Sequence, residues 1–225
     1  MKVDSIIKTF DDKTILHDIF LSCSKGEIIG LLGSNGMGKS TLLKIIFGSL
    51  PADQKFIKVN NKIIKTVFDN NGIIKYLPQF SFLPSHIKIK KIIHSFCSNE
   101  KSTFLLNNPL IKPFINSKPN ELSGGQKRII ETLLIVHSNA EYILLDEPFK
   151  NIDPIYINEL KSNIISESMY KGIIITDHNY REILDISTRV ILLYNGSIKE
   201  VKEQYDLIFY KYLRNNYLLI SNIHD

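Results

Sequence analysis

The sequence predicts an α/β fold with a mainly parallel core sheet flanked by helices, an N-terminal antiparallel β layer and an inserted helical subdomain. Three observations lead there. An apolar strand, Glu27 to Leu32, runs directly into a glycine-rich loop that opens a helix. From Gln126 onward apolar strands alternate with helical stretches, the pattern of a parallel sheet with covered faces. Between these halves the stretch from Phe80 to Leu122 is helical but broken, with Pro109, Pro113 and Pro119 as punctuation.

Each element follows in chain order. Ile19 to Cys23 and Glu27 to Leu32 are strands joined by a turn at Lys25-Gly26, and Lys39 to Phe47 is a helix ended by Gly48. Lys55 to Lys65 alternates like a hairpin broken at Asn60-Asn61, and Ile73 to Leu77 is a short buried strand leading to Pro78-Gln79. Lys88 to Cys97 is the clearest helix of the broken stretch. Gln126 to His137 carries apolar residues at 129, 130, 133, 134 and 136, which suits a largely buried helix. Tyr142 to Leu145 is a strand ending at Asp146, and Asp153-Pro154 is an N-cap with Pro at the first position of a helix running to about Tyr170. Strand Ile173 to Thr176, a short helix near Tyr180 to Asp185, strand Val190 to Tyr194, a hairpin turn at Asn195-Gly196 and a helix from about Glu203 complete the chain.

A chain of 225 residues buries a real core and is most economically one domain, with a core over 1–79 and 138–225 and a helical subdomain over about 80–137. The net charge of +5 is spread rather than clustered and rests mostly on Lys, with four arginines, so it reads as a solvated surface and not as a nucleic-acid patch. Cys23 and Cys97 lie far apart without metal-ligand spacing, which points to reduced thiols in a cytosolic protein. No apolar run approaches the roughly 20 residues of a membrane span, and the start resembles neither a secretory signal nor a transit peptide.

Three motifs carry chemistry. In the loop Gly33, Ser34, Asn35, Gly36, Met37, Gly38, Lys39, Ser40 the glycines let backbone N–H groups approach phosphate oxygens. The following helix adds its positive N-terminus, Lys39 reaches β and γ phosphates, and Ser40 offers a hydroxyl to Mg²⁺. Phosphoryl transfer to water is mostly positioning and charge stabilisation, so it needs one carboxylate near the metal and another aimed at the water; Asp146 and Glu147, ending an apolar strand, fit. The pentapeptide Leu122-Ser123-Gly124-Gly125-Gln126 opens a helix and makes an anion site with no obvious ligand of its own.

In this order the motifs resemble the ATP-binding cassette family, the nucleotide-binding subunits that drive ABC transporters, from about Phe10 to His178. The resemblance implies a P-loop ATPase using ATP and Mg²⁺, with Asp146, Ser40 and Gln79 in the metal shell and Glu147 as general base. It implies that His178 contacts the γ-phosphate and orients Glu147, that Gln79 joins metal and water, and that Phe10 stacks on adenine. Thr41 extends the phosphate loop, Asp153 belongs to the loop that crosses the dimer, and Ser123, Gly124, Gly125 and Gln126 face the γ-phosphate held by a second copy. Taken alone, His178 after a strand, Gln79 after Pro, Phe10 and the cap Asp153 each have an ordinary structural reading.

Partners implied by the resemblance are a second cassette, identical or not, and separate transmembrane permease subunits, with no nucleic acid. The chain would sit in the cytoplasm, peripheral on the inner face of the membrane. The strings Asp146-Glu147-Pro148-Phe149 with Asp153-Pro154, and Thr176-Asp177-His178-Asn179 with Arg181-Glu182, look like the branch of lipopolysaccharide-export and branched-chain amino-acid cassettes. The alternative is a soluble cassette ATPase without a permease, as in iron-sulfur assembly. Ser34 and Met37 depart from the common loop, and Lys150-Asn151-Ile152 is an unusual crossing loop. Phe80, Phe82 and Leu83 are apolar enough to receive a permease helix or, equally, to fill the subdomain's own core.

Overall fold

The structure, a computed structural model, describes residues 1–213. Positions 214–225 of the expected core lie outside the described residues. The chain opens with β1 (Lys2–Phe10) and β2 (Lys13–Ser22), an antiparallel pair turning at Asp11 and Asp12, both at positive φ. The sequence suggested only the end of β2. Ser5 and Asp18 sit at φ 53° and 50° beside register shifts, so buried positions fall three apart, Val3 and Ile6, Leu16 and Ile19. A bulge shifts the phase of the alternation, and the period-2 signal disappears with it.

Next come β3 (Ile28–Leu32), α1 (Lys39–Phe47), and the hairpin β4 (Gln54–Val59) and β5 (Lys62–Ile63), which turns at Asn60-Asn61 as expected. A short α2 (Val67–Asn70) precedes β6 (Ile74–Leu77). The broken stretch contains α3 (Ile89–Phe96), α4 (Asn99–Asn107) and two 3-10 turns, Lys112–Phe114 and Pro119–Glu121. Then α5 (Gly124–Val136), β7 (Tyr142–Asp146), α6 (Pro154–Ser168), β8 (Gly172–Thr176), α7 (Tyr180–Ile186), β9 (Arg189–Tyr194), β10 (Ser197–Val201) and α8 (Gln204–Phe209) follow.

Two sheets result, ordered β2-β1-β4-β5 and β10-β9-β3-β8-β7-β6. The first is antiparallel; in the second only β10 runs against its neighbour. Every residue of β3, β7 and β8 is buried, as central parallel strands require. Alternate side chains feed two cores. Ile29, Leu31, Leu144 and Ile174 pack with α1 and the antiparallel sheet, while Ile28, Leu32, Ile143, Leu145 and Ile173 pack with α3 to α7. Cys23 and Cys97 are free, and burial pushes their thiols up to about 12 and about 11, so both are protonated at neutral pH.

This order sets up the site. β3, β8, β7 and β6 are parallel neighbours, so the segments after them leave one edge of the sheet side by side. Those segments carry the glycine-rich loop, His178, Asp146-Glu147 and Gln79.

Candidate active site

The loop after β3 takes its shape from glycine where a side chain has no room. Gly33 has φ 152°, and a Cβ there would stand 2.8 Å from Leu193 O; Gly38 caps α1 at φ 97°, where a Cβ would meet Ile15 at 2.8 Å. Lys39, first residue of α1, donates to the carbonyls of Gly33 and, at 3.2 Å, Ser34. Burial lowers its pKa, against the opposing pull of Asp146 and Glu147.

Asp146 ends β7 and is 1% exposed. Its Oδ1 accepts from Ser40 Oγ at 3.1 Å and its Oδ2 from Tyr76 OH at 2.9 Å. Burial pushes the carboxyl up because those partners are neutral hydroxyls that offset only part of the desolvation. Hydroxyl and carboxylate oxygens this close form a hard donor set that suits Mg²⁺. Gln79 turns its amide nitrogen to Ser40 Oγ (3.2 Å) and Glu147 Oε1 (2.6 Å), so metal ligation by its oxygen requires the amide to turn.

Glu147 sits at φ 57°, a left-handed conformation that costs a non-glycine residue about 1 kcal/mol or more. Its N–H donates to Thr176 O at 2.7 Å, tying the ends of β7 and β8. Oε1 lies 2.7 Å from His178 Nε2 and Oε2 2.7 Å from Lys150 Nζ. Burial alone would raise this carboxyl, but Lys150 and His178 outweigh it and hold it below the usual range. Asp177 fixes the approach of His178 by accepting from Phe149 N (2.9 Å) and Asn179 N (3.0 Å).

These groups line one open cleft of about 560 Å³, shared by Phe10, Asn35, Gly36, Gly38, Lys39, Ser40, Thr41, Gln79, Asp146, Glu147 and His178. Phe10 is 43% exposed, with Lys8 Nζ 4.6 Å from its ring centroid. Met37 instead lines an adjoining hollow with Asn35 and Gly36, and Gly33 and Ser34 meet Lys39 from behind.

Ser123, Gly124, Gly125, Gln126 and Asp153 do not line this cleft. Ser123 and Gln126 form a capping box, each side chain bonded to the other's N–H at 3.2 and 2.9 Å, so α5 starts at Gly124, two residues before the expected start. A Cβ on Gly125 would stand 2.3 Å from Asn151 O, which packs this helix start onto the loop before α6. Asp153 caps α6 through Ile155 N at 3.1 Å.

Three residues of the site were not foreseen. Arg128 donates to Glu147 O (2.9 Å), Pro78 O (2.7 Å) and Asp146 O, pinning both acidic residues and the Gln79 segment by their main chain. A charged residue at the start of the buried stretch of α5, with Glu131 one turn on, was the signal for it. Lys150 lies three residues beyond Glu147, and nothing in the sequence announces Tyr76.

A family model described as ABC transporter matches residues 16–150. The lipopolysaccharide export system ATP-binding protein LptB of Haemophilus influenzae is 30% identical over 213 residues, covering 88% of each chain. Among solved structures, an ATP-binding subunit of an ABC transporter superposes with a TM-score of 0.80 at 21% identity, over 95% of this chain and 94% of that one. A dimeric ATP-binding cassette in a post-hydrolysis state with ADP and Pi gives 0.75 at 20% identity, over 90% and 99%. Sequence match, superposition and the cleft at one edge of the parallel strands agree, and the chain belongs to the ABC transporter family as an ATP-binding, ATP-hydrolysing cassette.

Proposed function

We propose that this cassette hydrolyses Mg-ATP to power a separate transmembrane permease, and that two cassettes pair head to tail around two nucleotides. The observation that carries the reading is the hydrogen-bonded chain Asp146–Ser40–Gln79–Glu147–His178 inside a cleft that also contains the glycine-rich loop. Lys39 and the N-terminus of α1 hold the β and γ phosphates. Ser40 and Asp146 would hold Mg²⁺, with Gln79 after its amide turns; the ion supplies charge neutralisation across the phosphates. Glu147 takes the proton of the attacking water while His178 keeps its carboxylate in register. Phe10 stacks on adenine through its exposed face.

Ser123, Gly124, Gly125 and Gln126 act on nucleotide held by the other copy, and Asp153 belongs to the segment crossing between copies. That pairing explains a helix start built for an anion yet absent from the chain's own cleft. LptB relatives belong to a lipopolysaccharide export system. Among the described residues no helix is long and apolar enough to cross a membrane, in keeping with a partner that supplies the span and a cassette peripheral on the cytoplasmic face. In this reading residues 1–79 and 138–225 form the core and 80–137 the helical subdomain that meets the permease.

The test is calorimetric titration of Lys39→Ala with ATP beside a turnover assay. Both binding and hydrolysis are expected to be lost, and wild-type affinity in the variant overturns the phosphate-loop assignment. Copurification from detergent-solubilised membranes is expected to bring down a transmembrane partner.

A further inference from the structure

Lys150 has no part in the scheme above, yet it touches the residue at its centre. The Glu147 carboxylate is almost fully engaged: Oε1 meets Gln79 Nε2 at 2.6 Å and His178 Nε2 at 2.7 Å, while Oε2 meets Lys150 Nζ at 2.7 Å. Oε2 is therefore the oxygen left to receive a proton from water in the cleft, and an ammonium group already holds it.

The geometry around Lys150 is fixed in the main chain and loose in the side chain. Its N–H donates to Glu147 O at 3.3 Å, the preceding Phe149 N is held by Asp177, and the following Asn151, at φ 58°, presses its carbonyl onto Gly125. The side chain itself is 45% exposed and lines the same cleft as Lys39. The backbone thus sets where the lysine starts, and rotation of a flexible four-carbon stem is enough to withdraw the ammonium. Because the segment rests on Gly125, displacement of the start of α5 bears directly on it.

We propose that Lys150 is a positioning residue that restrains Glu147, competing with the attacking water for Oε2 and holding turnover of the free cassette below what the remaining site supports. The inference rests on the reading of Glu147 as general base. Replacing the lysine by an uncharged side chain of similar length removes the competitor without touching the phosphate loop. The expected gain is about 1.5- to fivefold in rate, the factor that corresponds to losing one partly exposed ion pair.

Steady-state ATPase assays on the full chain test this. Lys150→Met is expected to raise kcat about 1.5- to fivefold with KM for ATP unchanged, and Lys150→Arg, which keeps the cation, to restore the restrained rate. Unaltered ATP affinity in a calorimetric titration shows that Lys150→Met is folded. Glu147→Gln and the double variant are expected to be equally inactive. Wild-type turnover in Glu147→Gln would sink the general-base reading itself. An inactive Glu147→Gln together with a Lys150→Met that is no faster than wild type, or that shifts KM instead of kcat, overturns the restraint alone.

Discussion

Glu147 and Glu167 are both buried carboxylates held by a histidine and by lysine, and they differ in what surrounds those partners. Around Glu147 the partners His178 and Lys150 are 51% and 45% exposed and line the cleft. Around Glu167, on α6, His137 stands 3.0 Å away, Lys171 2.8 Å away, and Lys101 also bonds the carboxylate. His137 and Lys171 are only 2% and 7% exposed, and His137 is held on its other side by Asn163 Oδ1 at 3.0 Å. The same kinds of group therefore face an open cleft at Glu147, the proposed general base, and are mostly enclosed at Glu167, where only Lys101 is partly exposed, at 32%.

Exchanging each carboxylate for its amide breaks the comparison most directly. Glu147→Gln is expected to lose on the order of 10²- to 10⁴-fold in turnover, the usual worth of a positioned general base, with ATP binding kept. Because hydrolysis reopens a closed pair, this variant should accumulate as an ATP-dependent dimer on size exclusion. An active or persistently monomeric variant would remove Glu147 from that role. Glu167→Gln is expected to do the reverse, costing about 3 kcal/mol of stability by leaving the buried Lys171 ammonium without its carboxylate, with ATP affinity unchanged in the folded protein.

The loss in Glu167→Gln depends on pH. Burial works against the charge of Glu167, but His137, Lys101 and Lys171 outweigh it and hold its carboxyl far below the usual range. A carboxyl depressed on folding contributes stability above its unfolded pKa, about 4.3, and loses it as pH falls toward the folded value. Thermal melts of wild type and Glu167→Gln should therefore converge as pH drops from about 5 toward 3. Parallel curves over that window would mean that Glu167 stabilises by packing and not by charge.

Ser123→Arg extends the contrast to a group outside the cleft. Hydrolysis should fall by about 10²-fold, the typical cost of removing one preorganised anion donor, while ATP binding by the isolated chain stays at the wild-type level. Lost binding in the isolated chain would place Ser123 in its own nucleotide site and exclude action across a pair. The smallest effect on stability is expected at Phe80, 82% exposed, where a change to Glu should stay within about 0.5 kcal/mol in melts yet abolish recruitment to membranes containing the permease. Leu83, 8% exposed in the core, should lose several kcal/mol on the same change. Recruitment that survives Phe80→Glu removes this surface from consideration.

What the sequence disclosed follows the same division. Gly33 to Thr41, Asp146 and Glu147 were legible from the residues, as a glycine-rich loop and a carboxylate pair at the ends of apolar strands, whereas Gln79 and His178 had only the family resemblance behind them; parallel neighbours bring these segments together. The bulged strands β1 and β2 were not legible, since Ser5 and Asp18 put their buried residues out of phase. Phe80, Phe82 and Leu83 looked alike as letters; Leu83 is buried and Phe82 packs on Phe96 at 6.0 Å between ring centroids, leaving Phe80 alone exposed. Tyr76 through Asp146, and Glu167 through His137 and Lys101, act on neighbours far away in sequence, which local patterns cannot register.

Arg128 ties Pro78, Asp146 and Glu147 to α5 through three nitrogens of one guanidinium. Any local opening that frees one of these carbonyls strips charge-assisted bonds from a side chain still committed to the other two. In hydrogen-exchange terms the segment after β6, the turn after β7 and the first turns of α5 should open as one cooperative unit, with a shared opening free energy instead of three separate fraying events. The cassette would then feel a pull on any one of these segments as a single concerted transition.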